Sequence, residues 1–135
     1  MINRFIITFL LSFNVICFSQ ALYKVKVNQL EVGEYFNDTT VEWSDSVLMN
    51  LNKIMIYKDS LVINDGVCEK VYKFFSQMES NPGVNRYNAL DSNNKLNCIV
   101  TYFSSSCLDN VSFTVIVDFE KYSLNYHGEI EQKDD

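Results

Sequence analysis

The chain has 135 residues, 47% of them hydrophobic, 14% aromatic and 21% charged, with only 4 Gly and 1 Pro. That composition excludes a disordered, collagenous or low-complexity chain and suits one small domain with a core of its own. A formal net charge of -6, a pI near 4.7 and the lack of any clustered basic stretch exclude nucleic acid or an anionic membrane surface as the main partner.

Residues 1–19 read as a secretory signal peptide. Arg4 is their only charge, an apolar run follows from Phe5 to Phe18, and Cys17, Ser19 and Ala21 supply the small side chains that signal peptidase needs. The cut is expected before Gln20, with a cut after Ala21 as the other option. As a membrane anchor the 14-residue run is too short, because at about 1.5 Å per residue it falls short of a hydrocarbon core about 30 Å thick. A lipoprotein would acylate Cys17, but Ile16 stands where that processing wants a small residue. The expected destination is the periplasm or the extracellular space, with no stable membrane insertion after cleavage. Removal of the leader takes Arg4 with it and leaves 10 basic side chains against 17 acidic ones.

Beyond the leader the pattern is mostly period two, as expected of strands with one buried and one wet face. Tyr23, Val25 and Val27 alternate with Lys24, Lys26 and Asn28, giving a first strand. Asn37-Asp38 reads as a turn and Val41 to Trp43 as a short second strand. Ile54 to Tyr57 and Leu61 to Ile63 form a hairpin around Lys58-Asp59-Ser60, closed by Asn64-Asp65-Gly66. Residues 66–80 are two-valued: Val71, Phe74, Phe75 and Met78 have helical spacing ahead of Asn81-Pro82-Gly83, while Val71-Tyr72-Lys73-Phe74-Phe75 is rich in strand formers. Strand is favoured, with a short helix as the alternative. Leu96 to Phe103 and Ser112 to Phe119 are the strongest strands, with Val111, Phe113, Val115, Val117 and Phe119 on one face. The polar run 104–110 reads as a loop, Tyr122, Leu124 and Tyr126 alternate again, and Gly128 to Asp135 reads as a solvated acidic tail. The expected fold is all-β or mainly β: one antiparallel sandwich or small open barrel of six to eight strands over residues 20–127.

The leader ending Phe-Ser-Gln, together with Ile-Met-Ile-Tyr, Val-Tyr-Lys-Phe, Asn-Ala-Leu-Asp-Ser-Asn-Asn-Lys-Leu-Asn-Cys-Ile-Val and Phe-Thr-Val-Ile-Val-Asp-Phe, resembles small exported β-rich proteins of Bacteroidetes bacteria. The likeness runs from Lys53 to His127 and rests on strand and turn grammar around one Cys-containing hairpin. It implies an exported bacterial β-domain and carries no function or site with it.

Residues that carry chemistry are few. His127 is the only histidine, and its place beside Gly128 reads as an exposed end of a strand. Glu31, Glu34, Glu42, Asp45, Asp118 and Glu120 could pair for glycoside chemistry, but each fits a wet strand face or a turn. Asp91-Ser92-Asn93-Asn94-Lys95 begins like a calcium loop, then places Lys95 at a ligand position and Leu96 at the sharp-turn glycine. It reads as a hairpin turn. No Cys-x-x-Cys, phosphate loop or zinc-hydrolase motif is present, so no metal or cofactor is expected and the protein reads as a non-enzyme.

Cys68, Cys98 and Cys107 would enter an oxidising compartment, and sequence alone leaves three ways to pair two of them. Cys98 is in phase with Leu96, Val100 and Tyr102 and reads as buried, while Cys68 and Cys107 lie near turn signals and are the favoured bridge. The aromatic surplus points to binding: Tyr35, Phe36, Trp43 and Tyr87 flank turns and are the candidate contact residues. The function expected is a binding module whose acidic surface and loop aromatics engage a protein or glycan partner. Its sharpest form is a periplasmic inhibitor or immunity protein that covers a basic toxin. The alternative is a small-molecule or lipid carrier with a barrel cavity, although no Gly-x-Trp of lipocalin type precedes Trp43, which follows Val41-Glu42.

Overall fold

The computed structural model describes residues 20–37, 40–44, 47–48, 53–107 and 110–133. The expected leader, residues 1–19, and Asp38 of the expected first turn lie outside the described residues. Ten strands follow in order: β1 (Tyr23–Asn37), β2 (Thr40–Trp43), β3 (Val47–Leu48), β4 (Lys53–Ile56), β5 (Ser60–Asn64), β6 (Glu69–Met78), β7 (Val84–Asp91), β8 (Leu96–Cys107), β9 (Asn110–Asp118) and β10 (Tyr122–Lys133).

Every pairing is antiparallel and follows chain order, and β10 returns to pair with β1. The wall is therefore a closed up-and-down barrel of eight strands, β1 and β4 to β10, rather than a sandwich or an open barrel. β2, β3 and β4 lie one after another along the same edge of β1, through Gly33↔Trp43, Gln29↔Leu48 and Tyr23↔Ile56. They act as one interrupted return strand. One rim carries the turns β4–β5, β6–β7 and β8–β9; the other carries β5–β6, β7–β8 and β9–β10.

Alternation explains the core. Val25, Val27, Ile54, Ile56, Leu61, Ala89, Val100, Val115 and Val117 point inward and are buried. Several of them, including Val27, Ile54, Ile56, Leu61, Val100, Val115 and Val117, have 0% exposure, so no water-sized probe fits against them and side chains fill the middle of the barrel. Aromatic tiers close both ends. Near the first rim Tyr23 and Phe113 lie 5.4 Å apart, Tyr102 is 6.1 Å from both Phe113 and Tyr87, and Tyr87 stacks on Phe74 at 4.3 Å. Near the second, Phe119 stacks on Tyr122 at 4.7 Å and lies 6.4 Å from Tyr72.

Residues 69–78 are strand. One bulge interrupts it: Phe74 pairs with Ala89 and Ser76 with Asn88, leaving Phe75 as the extra residue. Three expectations are corrected. The serine run is not a loop, because β8 continues to Cys107 and Ser105 meets Ser112 across the hairpin, Oγ to Oγ, at 2.7 Å. Residues 128–133 are not a tail: Gly128 fits against the Lys26 carbonyl, and Ile130 packs on the core. The Cys68–Cys107 bridge conflicts with the topology. Cys68 is a free, exposed thiol at the second rim, and Cys107 ends β8 at the first. A strand of β8's length runs about 36 Å, whereas bridged Cα atoms lie within about 7 Å. Cys98 is buried as expected, although Leu96, read in the same phase, is 46% exposed at the rim.

Candidate functional site

The four aromatic candidates separate. Tyr87 is a core residue, stacked between Phe74 and Tyr102 inside the barrel, and is withdrawn as a contact residue. Phe36 falls at the β1–β2 register irregularity, and its side chain lies outside the described ones. Tyr35 and Trp43 both belong to the β1–β2 hairpin.

Tyr35 is partly committed to the fold. Its backbone N–H donates to the Lys121 carbonyl at 3.0 Å, and its hydroxyl donates to Asp118 Oδ1 at 3.0 Å. Since β10 lies between β1 and β9, the side chain crosses β10 at Ser123, the register partner of both Gly33 and Asp118. That crossing accounts for the 1% exposure of Ser123 on the outer wall. Burial and the neighbouring carboxylate both push the Tyr35 phenol above its ordinary pKa.

Trp43 is open, with 45% exposure opposite Gly33. On the other face of the same hairpin, exposed Glu34 and Glu42 stand directly opposite each other in the register. Like charges in that arrangement work against the hairpin. β2 ends the strand order, and among the described strands only β1 pairs with it, so its second edge is unpaired there.

A second feature lies on the outer wall near the second rim. Phe75, on the outer face next to core-facing Phe74 and 65% exposed, begins a shallow groove of about 360 Å³ that passes Asn88, Asn97 and Ile99 to Asp118 and Glu120. It adjoins a recess of about 490 Å³ holding Lys95, Leu96, Lys121 and Tyr122 through the shared residues Asn97, Phe119 and Glu120. Two polar groups in the groove are held in place. The Asn88 amide donates to Ser76 Oγ at 2.9 Å, and Asp118 accepts from Tyr35. Phe75 was not among the expected contact residues; its signal was two adjacent aromatics, which cannot both face inward on a regular strand.

His127 is not at a strand end. It sits within β10 with its side chain one-third exposed, Nε2 2.9 Å from Glu31 Oε1 and Nδ1 3.3 Å from Thr114 Oγ1. Hydroxyl, imidazole and carboxylate stand in the order of a nucleophilic relay. Thr114, however, is only 8% exposed on a strand of the wall, which gives a substrate little access. Asp91 is 3% exposed, and its oxygens accept from the Asn93 and Asn94 backbone N–H groups and the Asn94 side-chain amide, so it organises the β7–β8 hairpin turn. No cluster of three or more metal-ligating side chains occurs among the described residues. Compared with known protein families, curated proteins and solved structures, the chain has no match.

Proposed function

We propose that the protein is an exported, non-enzymatic binding module that takes an extended, basic segment of a protein partner along the open edge of β2. The observation that carries this reading is the hairpin itself: an exposed Trp43 on one face, Glu34 opposed to Glu42 on the other, and between them an edge that no described strand pairs. A strand added to that edge places alternate side chains on the two faces, apolar ones beside Trp43 and cationic ones beside Glu42. Its cations relieve the repulsion between the two glutamates. The acidic balance of the chain favours encounter with such a partner. A periplasmic inhibitor or immunity protein covering a basic toxin is the form of this role that best suits export. The filled barrel centre weighs for a surface ligand over a lumen ligand.

The test is a photo-crosslinking amino acid placed at Trp43 and, separately, at Val67, which is 94% exposed at the β5–β6 turn. In the protein's own host, crosslinking at position 43 alone, to one basic protein, is expected. Equal crosslinking at both positions counts against the hairpin, and a lipid or pigment retained in native mass spectrometry favours the carrier instead.

A further inference from the structure

We infer that the outer-wall groove beginning at Phe75 is a second binding site, distinct from the β2 edge, and that its ligand is a neutral saccharide. Its position comes from the backbone. On β6 the core-facing Tyr72 and Phe74 leave Phe75 on the outer face, so a large aromatic ring sits at 65% exposure where a polar side chain is usual, beside the bulge that turns Ser76 outward as well. Sugar rings present a face of C–H groups that packs on such a ring, and a rim of hydroxyls that needs donors and acceptors close by.

Those groups lie along the groove. Asn88 uses its amide N–H on Ser76 and keeps its carbonyl oxygen for a ligand. Asp118 accepts the Tyr35 hydroxyl on Oδ1 and keeps Oδ2. Both are therefore oriented before a ligand arrives, which lowers the cost of ordering them on binding. Volumes of about 360 and 490 Å³ in the two adjoining depressions are of the size that ligand clefts usually have.

Charge selects the class. Asp118 and Glu120 oppose an anion in the groove, while Lys95 and Lys121 oppose a polycation in the adjoining recess. A neutral polyhydroxylated chain can accept hydrogen bonds from the lysines and donate them to the carboxylates without meeting a like charge in either place.

The experiment is amide-detected NMR of the folded protein with millimolar cellotetraose, maltotetraose, xylotetraose, mannotetraose and chitotetraose, alongside tetralysine and inorganic phosphate. At least one neutral saccharide is expected to shift the Asn88 and Asn97 side-chain amides, and Phe75→Ala is expected to weaken that binding about tenfold. Phe75 is exposed, so the variant keeps the fold, which its unchanged spectrum elsewhere would verify. No shift with any saccharide, shifts that survive Phe75→Ala, or stronger binding of tetralysine or phosphate overturns the inference. Crosslinking from position 43 is expected to be the same in the Phe75→Ala protein, so the two sites stand or fall separately.

Discussion

The Tyr35 hydroxyl reaches over Ser123 to donate to Asp118 Oδ1 at 3.0 Å, tying β1 to β9 across the strand between them. A strap of that kind resists peeling of β10 at the seam where the first and last strands close the barrel. Tyr35→Phe is expected to cost about 1.5–3 kcal/mol in urea unfolding, the range for a hydrogen bond to a charged group. Asp118→Asn should weaken the same contact, and the double variant should lose little more than the worse single one. Additive losses would show that the two side chains do not work as a pair.

A second prediction separates the two aromatics that looked alike in sequence. Tyr87→Ala removes a ring stacked at 4.3 Å on Phe74 in the core and should cost about 3–5 kcal/mol of stability. Trp43→Ala should leave the melting temperature nearly unchanged and weaken partner capture by about 2 kcal/mol or more. Thermal unfolding with a binding assay checks both.

Alkali should unfold the barrel. Burial is the main cause that raises Tyr35, Tyr72, Tyr102 and Tyr126 above the ordinary value of 10.0, Tyr126 to about 12, and raises the Cys98 thiol to about 11. A group whose pKa is higher folded than unfolded holds its proton more tightly in the native state. Its contribution is whole below the unfolded value and is lost as pH rises through the folded one. Stability should therefore begin to fall above pH 9, with Cys98, and fall steeply above pH 10. A tyrosinate absorbance titration read with circular dichroism tests this: part of the signal should appear only as the fold is lost.

Thiol chemistry gives a fourth. Cys68 is exposed and should label in the native protein, whereas Cys98, 6% exposed, should label only on unfolding. Peptide mapping that recovers a Cys68–Cys107 bridge would contradict the end-to-end separation of the two residues. Gly128→Ala offers an independent check on the closing seam, since its new Cβ would run into the Lys26 carbonyl and crowd Val27 Cα at 3.1 Å. A loss of about 2–3 kcal/mol is expected.

Much of the wall was legible because a barrel strand writes its inside and outside in alternate letters, as Phe113, Val115 and Val117 do. Where successive positions on both faces are hydroxylic, as over residues 104–106, nothing local distinguishes a strand from a loop; only the partner Ser112 reveals it. Tyr87 misled because Asn85, Arg86 and Asn88 around it have turn chemistry, yet on β7 they belong to the strand. The partners of His127 were hidden for another reason. Glu31 and Thr114 are brought to it by register between three strands, which no short window of sequence contains. The exposure of Trp43 was legible because an aromatic beside a turn is a local fact. Phe75 needed the knowledge that its neighbour Phe74 faces the core.

The pairing of β1 with β10, Val25 opposite Ile130, also governs the order in which the chain can fold. A polypeptide emerges from its amino end, so the first strand is made long before the last one that completes its hydrogen bonds. Until then its edge and its apolar face have no permanent cover. Partial products cannot mature segment by segment. High contact order at this seam slows collapse to the native state and leaves the late intermediates prone to associate. The need for a holding chaperone is greatest in the interval between the arrival of β1 and that of β10.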